Sequence, residues 1–386
     1  MNQQPNLEIS NLISPLVDTY KFINAEWVNF FEIGLSEYIY NQTYKYYFTN
    51  TFLHRGSKVR FNEIYYPIKC KYKDLITDFS DLNEILIDYK NITIVGSGGS
   101  GKTTLIKHIF LKTLAENKQI PILIELRNLN DYNGDLESLI SEKILNSKIK
   151  PNEATFKRTL NSGKFFFLLD GYDEIFSNKK QQIIRQIELF VDSYSKNNFL
   201  ITTRPGSGIE NFPSFYDFKV RQLDDTDVIN FISKMVHVEE REKRIKSVVL
   251  DRKNKSYYEF LRNPLLLSMF IIAFENHPEI PKRKSAFYRN VYDTLYSRHD
   301  GVTKNSFPRE KLTRLQREDF ENILSIFSYL TLLDGRYSFT YEYLTDILNK
   351  VKISSNYNYV TENIIYDLRT SISLLILDGF EYYFPH

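Results

Sequence analysis

The sequence holds a single cysteine, Cys70, in 386 residues. That excludes a disulfide scaffold and any zinc site built from several cysteines, and it fits a reducing compartment, so a cytoplasmic location is expected. Glycine and proline number only 14 and 12, so neither flexible linkers nor low-complexity tracts are expected. No apolar stretch reaches the ~18 residues that a membrane helix needs; the longest run, 265–274, is interrupted by Ser268. The opening MNQQPNLEIS has no basic region followed by an apolar one, so no signal peptide is expected. An excess of one charge is missing as well. Lys and Arg number 50 against 48 Asp and Glu, a net charge of +2, which gives no global electrostatic case for nucleic acid or an anionic membrane as partner. His54, His108, His237, His277 and His299 show no metal-ligand spacing with cysteine or carboxylates.

What is present describes a globular protein: 42% hydrophobic and 25% charged residues over a length that allows roughly two to three domains. The 28 Tyr and 29 Phe read as compositional drift alongside abundant Asn, Lys and Ile. Apolar residues at three- and four-residue spacing predict helices over 9–20 and 27–40. Residues 59–70 alternate and run into Tyr65-Tyr66-Pro67, so an extended segment is expected there.

From about residue 91 the texture changes. Short apolar runs at 92–95, 122–126, 165–169, 199–202 and 218–223 alternate with helical patterns at 102–116, 135–147, 152–161 and 179–195. That alternation predicts an α/β domain, a parallel sheet with helices on both faces. After 223 the pattern turns helical, over 224–235, 241–250, 257–274, 285–298 and 317–333, and closes on a hairpin-like aromatic stretch at 374–384. The expected organisation is therefore an N-terminal helical region (1–58), an extended lead-in (59–90), a nucleotide-binding domain (91–223), a helical domain (224–280) and a winged-helix-like domain (281–386).

The nucleotide-binding expectation rests on Gly96-Ser97-Gly98-Gly99-Ser100-Gly101-Lys102-Thr103, which follows a strand and opens a helix. Glycines let backbone N–H groups turn onto phosphate oxygens, and the lysine adds a point charge for the β- and γ-phosphates. The threonine offers its hydroxyl to Mg²⁺, and the helix N-terminus itself favours anions. Thr104 completes the phosphate-binding set. The run Phe165-Phe166-Phe167-Leu168-Leu169-Asp170-Gly171-Tyr172-Asp173-Glu174 is a buried strand ending in acids. A carboxylate at that tip can reach the Mg²⁺ held by Thr103, and this role goes to Asp170. Either Asp173 or Glu174 can orient or deprotonate the attacking water. A third strand ends in Thr202-Thr203-Arg204-Pro205, where Arg204 can read the γ-phosphate.

These motifs, with Arg262-Asn263-Pro264-Leu265 further on, resemble the NACHT branch of the STAND nucleoside triphosphatases, in particular the prokaryotic NACHT proteins related to NOD-like immune receptors. The most specific piece is the spacing after Asp170: Gly171 follows, and the acids come two residues later. The resemblance covers about 60–386. It implies that Pro264 packs on the nucleotide base; read by itself, Asn263-Pro264 is a helix N-terminus. It implies that His386 contacts the β-phosphate in a closed, ADP-bound state, and that the chain continues past His386 into more helix and a sensor region. The cofactors implied are ATP/ADP and Mg²⁺. The function implied is a switch that self-associates in its ATP state, hydrolyses slowly, and serves bacterial defence against phage. Its trigger is unknown, a phage component being one candidate. An effector is expected within 1–58, yet no nuclease, protease or hydrolase constellation stands there. Two alternatives remain. A fast motor or chaperone ATPase, stimulated by nucleic acid, calls for a glutamate directly after Asp170, where Gly171 stands. A non-catalytic scaffold calls for damaged motifs, and these are intact.

Overall fold

The computed structural model describes residues 4–21, 34–49, 59–130, 132–145, 153–175, 179–210, 212–251, 261–276, 285–286, 289–290, 292–293, 312–336, 338–355, 357–368, 375–378 and 381–383. They fall into two compact units, Met1–His237 and Val238–His386.

The first unit is built on apolar strands: β5 (Asn91–Val95), β6 (Ile120–Glu125), β7 (Phe165–Asp170), β8 (Asn198–Thr203) and β9 (Tyr216–Val220). Ile92, Thr93, Ile94, Phe165, Phe166, Phe167, Leu168, Phe199, Leu200 and Ile201 have no more than a trace of exposed surface; neighbours along a strand point to opposite faces, so both faces are covered. Phe167 stacks on Phe199 with ring centroids 5.3 Å apart and meets Phe190 edge-on at 5.0 Å, a geometry that aromatic quadrupoles favour. With the hairpin β3 (Cys70–Tyr72) and β4 (Leu75–Thr77), these strands form a seven-stranded sheet of order β4-β3-β9-β5-β8-β7-β6. From β9 to β6 all pairings are parallel, and the hairpin adds to β9 antiparallel. The C-terminal ends of β5, β6, β7 and β8 therefore share one edge of the sheet, where open α/β folds bind their ligands.

Two short pieces, β1 (Phe48–Thr49) and β2 (Val59–Arg60), pair antiparallel upstream. The N-terminal helices α1 (Gln4–Lys21) and α2 (Ser36–Tyr47) are not set apart from the sheet. Ile9, Leu16, Leu35 and Ile39 are wholly buried in the same hydrophobic core as the strands. The Tyr38 hydroxyl accepts from Leu123 N at 2.8 Å and donates to Leu123 O at 3.2 Å. A side chain thus satisfies the open backbone groups of the edge strand β6, which would otherwise invite another strand. Of the helix expected at 27–40, residues 22–33 lie outside the described ones; the described helix Ser36–Tyr47 runs past the expected end at 40.

The expected extended segment 59–70 is broken by one helical turn, α3 (Phe61–Ile64), because Phe61 and Ile64, three apart, both turn into the core. Helices α5 (Lys102–Glu116), α6 (Leu136–Leu145), α7 (Glu153–Leu160) and α8 (Lys180–Ser193) fall between strands as the alternation predicts, whereas α4 (Leu82–Asp88) lies in the stretch expected to be extended, where Leu82 and Ile85, three apart, turn inward. The last strand stops at Val220 rather than 223, and α9 (Asp225–Met235) begins soon after on a reciprocal cap. Asp224 accepts from Asp227 N at 2.8 Å while Asp227 accepts from Asp224 N at 3.1 Å.

The second unit holds α10 (Glu239–Leu250), α11 (Pro264–Asn276), α12 (Arg317–Leu333), α13 (Tyr341–Ser355) and α14 (Thr361–Tyr366). Strands β10 (Ser338–Thr340), β11 (Ile376–Asp378) and β12 (Glu381–Tyr383) form an antiparallel sheet of order β10-β12-β11. Helix, strand, two helices and a hairpin in that order match the winged-helix-like expectation. The hairpin predicted at 374–384 is β11 paired with β12.

Candidate functional site

The phosphate-loop sequence forms the turn between β5 and α5. Gly96 N donates to Thr203 O at 3.1 Å, which ties the start of the loop to β8. A Cβ on Gly96 would fall 2.6 Å from Ser100 Oγ and 2.8 Å from Val220, so only glycine fits. Gly101 has φ 95°, the left-handed conformation that lets the chain enter α5 directly. Lys102 curls back, its ammonium donating to the carbonyls of Gly96 and, at 3.1 Å, Ser97. Gly98, Gly99, Ser97 and Ser100 complete the turn, and Thr103 and Thr104 stand exposed in the first turn of α5.

Asp170 lies at the tip of β7, two strands from the loop, and accepts hydrogen bonds from Thr202 and Thr103. Burial pushes its carboxyl up, and the two hydroxyls oppose that. A desolvated carboxylate joined to a threonine hydroxyl is a hard-oxygen donor pair, which fits Mg²⁺. Among the described residues, no group of three or more His, Cys, Asp and Glu is placed to hold a metal ion by itself.

Gly171, at φ 79°, turns the chain away from β7 and donates N–H to Thr202 Oγ1 at 2.9 Å. The two acids that follow have different surroundings. Asp173 is ion-paired with Arg204, Nε to Oδ2 at 3.1 Å, and its side chain is 10% exposed. Glu174 is pushed up to about 7, by burial first, with Asp170, Asp173 and Glu125 adding and Arg127 opposing. Asp170, Asp173, Glu174, Arg204, Lys102 and Thr103 thus lie on one edge of the sheet.

Four residues here were not singled out in the sequence. Thr202, at the end of the third strand, donates to Asp170 and accepts from Gly171 N. Glu125 ends β6 in register with Asp170. Arg127 binds Glu125 at 2.6 and 3.1 Å and reaches Glu174 at 3.5 Å. Lys45, from α2, binds the other oxygen of Glu125 at 3.0 Å. Burial of Glu125 is outweighed by these cations, which hold its carboxyl down at about 2. Glu125 had one signal, an acid closing an apolar strand exactly as Asp170 does; Lys45 had none, being 80 residues away from its partner.

Pro264 is the first residue of α11, in the second unit. Asn263 Oδ1 accepts from Leu265 N at 2.9 Å and Leu266 N at 3.3 Å, so the helix-start reading of Asn263-Pro264 holds. His386 lies outside the described residues.

Residues 90–239 match the family model of the NACHT domain. No curated protein matches the sequence. Among solved structures, ORC1 of Aeropyrum pernix in complex with DNA is 12% identical, with a TM-score of 0.39, and the match covers 79% of this chain and 87% of that one. Cdc6p of Pyrobaculum aerophilum is 12% identical at a TM-score of 0.33, over 80% and 88%. A Signal Transduction ATPase with Numerous Domains (STAND) protein with a tetratricopeptide repeat sensor, from Pyrococcus horikoshii, is 13% identical at a TM-score of 0.33. That match covers 83% of this chain and 42% of that one. Likenesses at this level assign no activity or partner. The family match coincides with the strands and loop just described, so the chain carries a NACHT domain over residues 90–239.

Proposed function

We propose that the protein is an ATP/ADP-operated signal-transduction switch whose hydrolysis is slow and resets it. The observation that carries this reading is the state of the two acids after Asp170: Asp173 is ion-paired with Arg204, and Glu174 sits near 7. A rapid ATPase needs an ionised carboxylate ready to align water. Here one acid is ion-paired, and burial favours the protonated form of the other.

In this reading the backbone of 96–101, Lys102, Thr103 and Thr104 hold the phosphates, and Thr103 with Asp170 holds Mg²⁺, which neutralises charge on the transferring group. Arg204 exchanges Asp173 for the γ-phosphate when ATP binds. An arginine with two alternative anions gives the differential affinity that a ligand needs to shift a two-state equilibrium. Pro264 on the base and His386 on the β-phosphate are the proposed closing contacts, and exchange of ADP for ATP permits self-association. The biological role that fits the family is defence against phage in the cytoplasm, with a phage component as trigger.

The discriminating test is steady ATP turnover with and without DNA or RNA, measured beside the ADP retained through purification. Slow turnover, indifferent to nucleic acid, with ADP retained supports the switch. Fast, nucleic-acid-stimulated turnover with no retained ADP overturns it in favour of a motor. Lys102→Ala should lower nucleotide affinity about 10- to 100-fold, since it removes a charge-assisted phosphate contact; unchanged retention of ADP would contradict the loop's assignment.

A further inference from the structure

The charged groups on the β6 side of the site form a chain that the nucleotide motifs do not include. Glu125 and Asp170 are partners in parallel register at the tips of adjacent strands, so two carboxylates stand side by side where like charges repel. Glu125 is neutralised from two directions. Lys45 takes Oε1 at 3.0 Å, and Arg127 takes Oε2 through Nε and NH2 at 3.1 and 2.6 Å. This grip on Glu125 leaves the remaining guanidinium nitrogen, NH1, directed at Glu174 Oε2, 3.5 Å away. Glu174 is also fixed through its backbone, where Asn130 Nδ2 donates to Glu174 O at 2.9 Å.

Lys45 is brought to the site by its helix. Tyr38 and Lys45 are seven apart on α2, two turns along one face. Tyr38 is locked to both backbone groups of Leu123, two residues before Glu125 on β6. Tyr46, beside Lys45, is buried against Phe110 of α5 with ring centroids 5.2 Å apart. The helix therefore sits in register with the strand, and its lysine arrives at the strand's end.

We propose that Glu125 and Arg127 are the positioning residues for Glu174 in nucleotide hydrolysis, and that Lys45 of the N-terminal helix Ser36–Tyr47 completes this set. The N-terminal helix is then part of the catalytic unit rather than a separate effector module. The proposal rests on the reading of Glu174 as the water-orienting acid, which the experiment tests separately.

The experiment compares single-turnover hydrolysis of ATP–Mg²⁺ in the full chain, with the affinity for a fluorescent ADP as the second readout. Arg127→Gln should slow hydrolysis about 10- to 100-fold, the cost of a misplaced catalytic group, while ADP affinity stays within about twofold. Arg127→Lys should not restore the rate, because an ammonium cannot span two carboxylates. Lys45→Met should slow it about two- to fivefold, the worth of a half-exposed ion pair, and Lys45→Arg should restore it. In a Glu174→Gln background, already slow, Arg127→Gln should add nothing. If Glu174→Gln hydrolyses at the wild-type rate, the reading of Glu174 falls and this proposal with it. If Glu174→Gln is slow but Arg127→Gln is not, or if the two losses add in full, the proposal alone is overturned.

Discussion

Glu174 is where chemistry and stability pull in opposite directions. Its carboxyl is raised from the ordinary 4.5 to about 7, burial being the largest cause. The folded state therefore holds a proton that the unfolded chain releases between those values. The stability this lends is fully present below pH 4.5 and is lost as pH rises through about 7. Glu174→Gln, which has no charge to bury, should make the nucleotide-free protein more stable than wild type above pH 7 and no more stable near pH 4, while slowing hydrolysis. Melting temperatures of both proteins across that range check it, and a constant difference would contradict the assignment. Gly171 carries a second residue-level prediction. Its φ of 79° is unfavourable to any side chain, and a Cβ there would lie 3.1 Å from Glu174 Cδ. Gly171→Ala should cost about 1–2 kcal/mol in denaturant unfolding and should also change the hydrolysis rate, because Glu174 must give way. An unchanged rate would mean that the position of Glu174 is not limiting.

At the scale of the element, α2 and β6 form one structural piece. The Tyr38 hydroxyl is buried and bonded to both backbone groups of Leu123. Tyr38→Phe leaves that N–H and C=O unsatisfied and should destabilise the protein by about 1–3 kcal/mol, with the largest gain in amide exchange at Leu123 and along α2. Exchange unchanged at Leu123 would contradict the capping role. This contact also marks the limit of legibility in the sequence. Strands such as Phe165–Asp170 and the loop 96–103 were readable because their signal is local: a continuous apolar run means burial on both faces, and the glycine spacing means phosphate. The end of α2 and the helical turn Phe61–Ile64 depart from the sequence pattern because they are set by what packs against them. Tyr38 and Lys45 answer to a strand about 80 residues ahead, and no local period encodes that pairing. Glu125 and Arg127 were overlooked for a related reason: their role appears only when β6 is laid beside β7.

At the scale of the whole molecule, the sheet edge brings together residues from 45 to 204, and the second unit supplies the winged-helix-like segments. The first unit runs to His237, so α9 travels with the nucleotide-binding sheet. It is held there by Lys69, which reaches Asp224 at 3.1 Å and Asp227 at 2.7 Å. Aromatic abundance, set aside in the sequence as drift, has structural use here: Phe165, Phe167, Phe190 and Phe199 fill the centre of the sheet's core. The central claim is that nucleotide identity, rather than rapid turnover, sets the state of this molecule. The measurement that tests it most directly is the nucleotide content of the purified protein together with its mass in solution, before and after ATP–Mg²⁺. The switch predicts ADP retained on a small species that assembles when ATP replaces it, with assembly lost in Lys102→Ala. An empty protein of unchanging mass that turns ATP over quickly would contradict it.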